Sequence, residues 1–151
     1  MNARKLLLFR TGGRVFAVDA GAVREILPAT PPTRIPGSPD AVRGLVNVRG
    51  TLVTVVDLGL ALGVETAART APGGAEDGSA GRTLVLVERS KRPIGLIVDD
   101  VLDLVTVDDD ALTAGGAVPG VRPGVVTATG TAGGERFAQL ATDVLLEPLL
   151  A

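Results

Sequence analysis

Strand-length runs of Val, Leu and Ile, glycine turns between them and a near absence of aromatic residues predict a mainly β protein of small antiparallel barrels or a sandwich. Hydrophobic residues make up 46% of the 151-residue chain and aromatics only 2%, so the core is aliphatic. Strands do not alternate with long helical patterns, which argues against a doubly wound parallel sheet.

In chain order, KLLLFR (5–10) and RVFAV (14–18) read as two strands joined through Gly12 and Gly13. Asp19 then caps a short helix over AGAVREIL, with Val23, Ile26 and Leu27 on one side and Pro28 at its end. Five prolines between 28 and 39 exclude regular structure there. Ser38-Pro39 resembles an N-cap followed by proline in the first turn, so a helix over 39–43 is predicted, with Gly44 past its end. The stretch GLVNVRGTLVTVVDL (44–58) is too long for one strand of a small domain. Splitting it at Arg49-Gly50 leaves arms at 45–48 and 51–56, and Gly50 supplies the positive φ of a tight turn. Asp57 caps LGLAL, which Gly63 closes.

Residues 66–82 are small, polar and glycine-rich, the composition of a flexible loop. Strands are predicted at 83–88 and over PIGLIV (93–98), around the charged turn RSKR. Asp99-Asp100 starts a turn before VLDLVTV, and 108–124 reads as loop. Two last strands are expected at 124–129 and 136–141. TDVLLEPLL closes the chain as a short helix whose regular part Pro148 ends. A faint repeat runs through this order. Shifted by 78 positions, FAVDAGAVREIL (16–27) lies over IGLIVDDVLDLV (94–105), which suggests two similar barrels that each open with a hairpin.

The residues that are absent limit the chemistry. There is no His and no Cys, which removes imidazole bases, Ser-His and Cys-His pairs, thiolate nucleophiles and disulfides. A net charge of -2 gives no basic surface for nucleic acid or an anionic membrane, and no apolar run is long enough to span a bilayer. GTAGGERF lacks the Gly-Lys-Ser/Thr ending of a phosphate loop and reads as a hairpin turn. Asp108, Asp109 and Asp110 lack the alternating ligands of a calcium loop. Asp99, Asp100 and Asp103 with Glu25 are the remaining carboxylates that a small β-barrel enzyme or ligand-binding protein would have to use. Arg49 and Glu25 stand out from solvated charges. Arg49 projects from a tight turn, and Glu25 interrupts the apolar AVREIL segment. Both can reach the rim of a groove between two packed barrels, a partner-binding geometry.

At these residues the sequence resembles the CheW family of chemotaxis coupling proteins. LLLFRTGGRVFAVDAGAVREIL is similar to that family's opening block, and PIGLIVDDVLDLV to its second-barrel block. The most specific part is RIPGSPDAVRGLVNVRGTLVTVVDL, where Gly44, Asn47, Arg49, Gly50, Asp57 and Leu58 fit the family pattern. Thr54 stands where the family commonly has Pro, and FAQLATDVLL is more polar than the family's last strand. The resemblance implies two five-stranded SH3-like β-barrels packed together, with a few short helices. They would span roughly 14–65 and 83–141 with exchanged terminal segments, joined by the 66–82 loop. It further implies a non-enzymatic, cofactor-free cytoplasmic adaptor that is recruited to membrane receptor arrays without inserting in the membrane. The partners it implies are the cytoplasmic tip of methyl-accepting chemotaxis receptors and the regulatory domain of the histidine kinase CheA. The receptor-binding groove would be lined by Val23, Glu25, Asn47, Arg49, Val98 and Val101, with Gly50 holding the hairpin turn. An adaptor of a non-flagellar chemosensory pathway would carry the same features.

Overall fold

A computed structural model describes residues 3–64, 81–116 and 118–150. Its strands are β1 (Ala3–Thr11), β2 (Arg14–Asp19), β3 (Val23–Pro28), β4 (Val42–Val48), β5 (Thr51–Asp57), β6 (Thr83–Arg89), β7 (Arg92–Val98), β8 (Asp100–Asp108), β9 (Thr113–Ala114), β10 (Val126–Ala132) and β11 (Glu135–Leu140). Helix α1 spans Leu58–Leu62 and α2 spans Thr142–Leu150. The predicted mainly-β class is what the chain adopts. The loop expected at 66–82 lies outside the described residues, apart from Gly81 and Arg82.

The strands form two sheets, in the orders β3-β6-β7-β5-β4 and β8-β1-β2-β11-β10-β9. We call them the first and second sheet. The second exceeds five strands only through the two-residue β9 on its edge. The halves of the chain are interleaved. The opening hairpin β1–β2 sits between β8 and β11, whereas β6–β7 sits between β3 and β5. Each hairpin is joined to its sheet by one parallel pairing, Phe16 opposite Ala138 and Ile94 opposite Thr54.

Strand alternation sorts the side chains into three cores. Leu84, Leu86, Val53, Val55, Val46 and Ile97 fill the inside of the first sheet. Leu6, Leu8, Ala17, Val107 and Phe137 fill the second. The third and largest core lies between the sheets, and Leu7, Phe9, Phe16, Val18, Val85, Val87, Ile94, Leu96 and Val98 all belong to it. The 78-residue repeat holds in this division. Leu6 and Leu8 play the part of Leu84 and Leu86, and Leu7 and Phe9 that of Val85 and Val87. Gly95, the counterpart of Ala17, packs inside the first sheet, where a Cβ would lie 2.7 Å from Leu84 Cδ1.

Three local expectations are corrected. The helix predicted over 20–27 is a single 3-10 turn, Ala20–Ala22, followed by β3. Asp19 caps that turn through Gly21 N–H at 2.9 Å, but from Val23 onward the residues alternate between half-buried and exposed and pair with β6. Pairing with β6 satisfies the inward-facing half of the segment's backbone groups and overrides its weak helical pattern. The helix predicted over 39–43 is a turn closed by Val42 N–H to Pro39 O at 2.9 Å. The Ser38 hydroxyl donates backwards to Ile35 O, and β4 begins at Val42. Gly44 ends no helix. It lies inside β4 at φ 137, where a Cβ would strike the Thr33 carbonyl. Finally, α2 runs on through Pro148. Proline removes the N–H that would bond the carbonyl four residues earlier, and here the Arg122 guanidinium donates to that Val144 carbonyl at 2.6 Å.

Candidate partner-binding surface

The β4–β5 connection is a two-residue turn between Val48 and Thr51, with Arg49 at φ 51 and Gly50 at φ 84. Two consecutive positive φ values make a type I′ turn, whose twist matches the flanking strands. Asn47 braces it, since its side-chain oxygen accepts the Gly50 N–H at 2.8 Å. The turn therefore holds Arg49 outward, 74% exposed at the side chain.

Arg49 reaches across to Glu25 on β3, with guanidinium–carboxylate contacts of 2.6 and 2.9 Å. β3 and β4 are the two edges of the first sheet and share no ladder hydrogen bonds. Curling of the sheet brings these edges together, and the ion pair spans the seam. Beneath it is a cavity of about 330 Å³ with an apolar floor of Val48, Val53, Leu86 and Pro93. Arg24 lines the same cavity. An apolar floor with a charged rim suits contact with an amphipathic protein segment.

The other residues expected in the groove are placed differently. Val23 is half-buried at the start of β3, opposite Val87. Val101, its counterpart in the repeat, is half-buried on β8 opposite Phe9. Both pack against the core between the sheets. Val98 is 0% exposed within that core, at the far end of β7 from Pro93, so it presents nothing to a partner. Besides Leu52, 64% exposed on β5 opposite Asn47, two exposed aliphatic residues escaped the sequence reading, Ile26 at 44% and Leu104 at 58%. They are one repeat apart, on edge strands β3 and β8, and the 78-residue alignment was the signal that could have paired them.

Sequence reasoning also missed a buried ionic cluster. Arg82 donates to Asp57 at 2.8 Å and to Asp99 at 3.0 Å. Asp57 also accepts from Leu60 N–H and so caps α1. Asp99 accepts from Gly12 N–H at 2.9 Å, which fastens the β1–β2 turn of the second sheet to the first. Gln139, the polar residue of the last strand, is buried and accepts from Arg4 at 3.2 Å. Among the described residues no three His, Cys, Asp or Glu side chains converge as metal ligands would, and no helix is long and apolar enough to cross a membrane.

Comparison with known proteins follows the same residues. The family model of the CheW-like domain matches residues 5–145. The chain is 38% identical to the chemotaxis protein CheW of Rhizobium meliloti over 109 residues, and 34% identical to a probable chemotaxis protein CheW of Rhizobium etli over 109. Both matches cover 72% of this chain but only 64% of the relative, so the aligned part spans less than two thirds of those proteins. Protein PilI of Pseudomonas aeruginosa is 35% identical over 96 residues, covering 64% of this chain and 49% of that protein. The crystal structure of a scaffolding protein, CheW of Thermoanaerobacter tengcongensis, superimposes with a TM-score of 0.81 over 97% of this chain and 94% of that one, at 21% identity.

Proposed function

The chain belongs to the CheW-like domain family, and on that premise we propose that it is a non-enzymatic adaptor coupling methyl-accepting receptors to the histidine kinase CheA. The supporting observation is the Glu25–Arg49 pair over an apolar floor, held out by a braced turn. It offers shape and charge to a protein partner, with the Glu25 carboxylate engaged by Arg49. In this reading the receptor's helical hairpin docks at the first sheet, against Val23, Glu25 and Arg49, and Val101 extends the contact toward β8. Asn47 and Gly50 keep Arg49 in position, and Val98 belongs to the core rather than to the contact. The regulatory domain of the kinase binds elsewhere on the barrels, and the adaptor is cytoplasmic and recruited to receptor arrays at the membrane.

The test is reconstitution. The protein, a receptor cytoplasmic fragment and the CheA regulatory domain from the same source are mixed, and complex formation is followed by size-exclusion chromatography. Kinase activity is then measured with intact CheA. Ternary complexes and receptor-dependent kinase activity are expected. Failure to bind either partner, or saturable binding of a metabolite instead, would sink the adaptor reading.

A further inference from the structure

We infer that Arg24, Arg89, Lys91 and Arg92, grouped beside the Glu25–Arg49 pair at one end of the first sheet, form a cationic rim that receives carboxylates of the receptor hairpin. This rests on the adaptor reading for the identity of the occupant and adds to it the chemistry by which that occupant is held.

Topology gathers these residues. β5 and β7 run parallel, with Thr54 opposite Ile94, so the β4–β5 and β6–β7 turns lie at the same end. Arg89 is paired with Arg92, and β3 enters beside them with Val23 opposite Val87. Arg24 and Pro93 line the cavity that lies under Arg49. None of Arg24, Arg89, Lys91 and Arg92 forms an ion pair among the described residues, in a chain whose net charge is -2. Glu88 is the exposed acid nearest in sequence, and it leaves the group strongly positive.

Two independent features say that the positive charge is not incidental. The first is backbone strain. Among the described residues, four hairpins close with two left-handed residues: Gly12-Gly13, Arg49-Gly50, Ser90-Lys91 and Gly133-Gly134. Only the β6–β7 turn uses no glycine, although a left-handed residue with a side chain costs about 1 kcal/mol or more. Arg49, Ser90 and Lys91 are the only non-glycine residues at positive φ among those described, and all three are at this end. The second is a like-charge pair. Arg89 and Arg92 are direct cross-strand partners, an arrangement that costs stability and that an incoming carboxylate relieves. With an apolar floor beside Arg24, the matching ligand is an amphipathic segment bearing Glu or Asp, not a bare phosphate.

The experiment compares wild type, Lys91→Gly and the double variant Lys91→Gln/Arg92→Gln for stability and for binding to the receptor fragment and to the CheA regulatory domain, at low and high salt. Lys91→Gly relieves the left-handed strain, so its Tm should equal or exceed that of wild type. Its affinity for the receptor fragment should nevertheless fall about fivefold or more at low salt. The difference should shrink as salt rises, because exposed charges are screened. Wild-type receptor affinity retained in both variants overturns the inference and leaves the adaptor reading intact. A loss confined to the kinase domain also overturns it, by giving the rim to the other partner. A wild type that ignores the receptor fragment removes the adaptor reading and this occupant together.

Discussion

Asn47, Arg49 and Gly50 are three neighbours with three separate jobs. Asn47 closes the turn, Gly50 supplies its geometry, and Arg49 is what the turn displays. Their substitutions should therefore separate. Arg49→Ala breaks an exposed ion pair and should lower the free energy of unfolding by less than about 1 kcal/mol. It should also weaken receptor binding, which urea titration and a binding assay on one preparation will read. Asn47→Ala removes the acceptor for Gly50 N–H and should cost about 1 kcal/mol. Its effect on binding should follow only from a loosened Arg49. Gly50→Val places a β-branched residue at φ 84 and should destabilise more than either. The turn and the prominence of Arg49 and Glu25 were legible in the sequence, because a glycine after a charged residue between apolar arms has few other readings. Their contact was not, because they lie 24 residues apart and only the curl of the sheet joins them. Nor was the burial of Val98, since alternation in PIGLIV does not say which of two covered faces a side chain meets.

Among the elements, the hairpins were the most legible and the short helices the least. A hairpin announces itself through both arms and its turn. A helix of one or two turns has only a cap and a few apolar residues, and both were present at 19–27 in what proved to be an edge strand. The C-terminal helix shows the same dependence on distant partners. Proline should have stopped α2, but Arg122, far back in the chain, takes over the orphaned Val144 carbonyl. Arg122→Ala should cost about 1 kcal/mol in the wild-type background. In a Pro148→Ala background, where an N–H returns to that carbonyl, the loss should be smaller. A double-mutant cycle by denaturant unfolding measures the difference, and strict additivity would refute the compensation. Packing inside the first sheet can be probed in the same way. Gly95→Val drives side-chain atoms into Leu84 and Val55 and should destabilise by about 1–3 kcal/mol. Leu84→Ala should recover part of that loss.

For the molecule as a whole, the two-barrel composition and the repeat were legible and exchanged terminal segments were expected, whereas which hairpin enters which sheet and the ionic cluster were not. A repeat reports which segments are alike, not which copy each one joins. Arg82 ends a stretch of small polar residues, and nothing local distinguishes it from a solvated charge. In the fold it is buried between Asp57 and Asp99, so Arg82→Met strands two carboxylates and should cost about 3–5 kcal/mol. Circular dichroism during urea unfolding will test this, and it should show one transition, since the largest core belongs to both sheets. Chains 1–64 and 81–151 should each be unfolded when expressed alone and regain strand structure when mixed, because neither sheet is complete within one half. A half-chain of this design can finish itself only against a second copy, as an interlocked pair with two identical faces. Joining the copies end to end keeps the interlock and releases the faces from identity. Arg49 then stands at one turn where its topological counterpart is Gly133, and Glu25 stands where the other half has Asp103. The two halves are thus alike in topology and unlike in surface, which gives the molecule a front and a back.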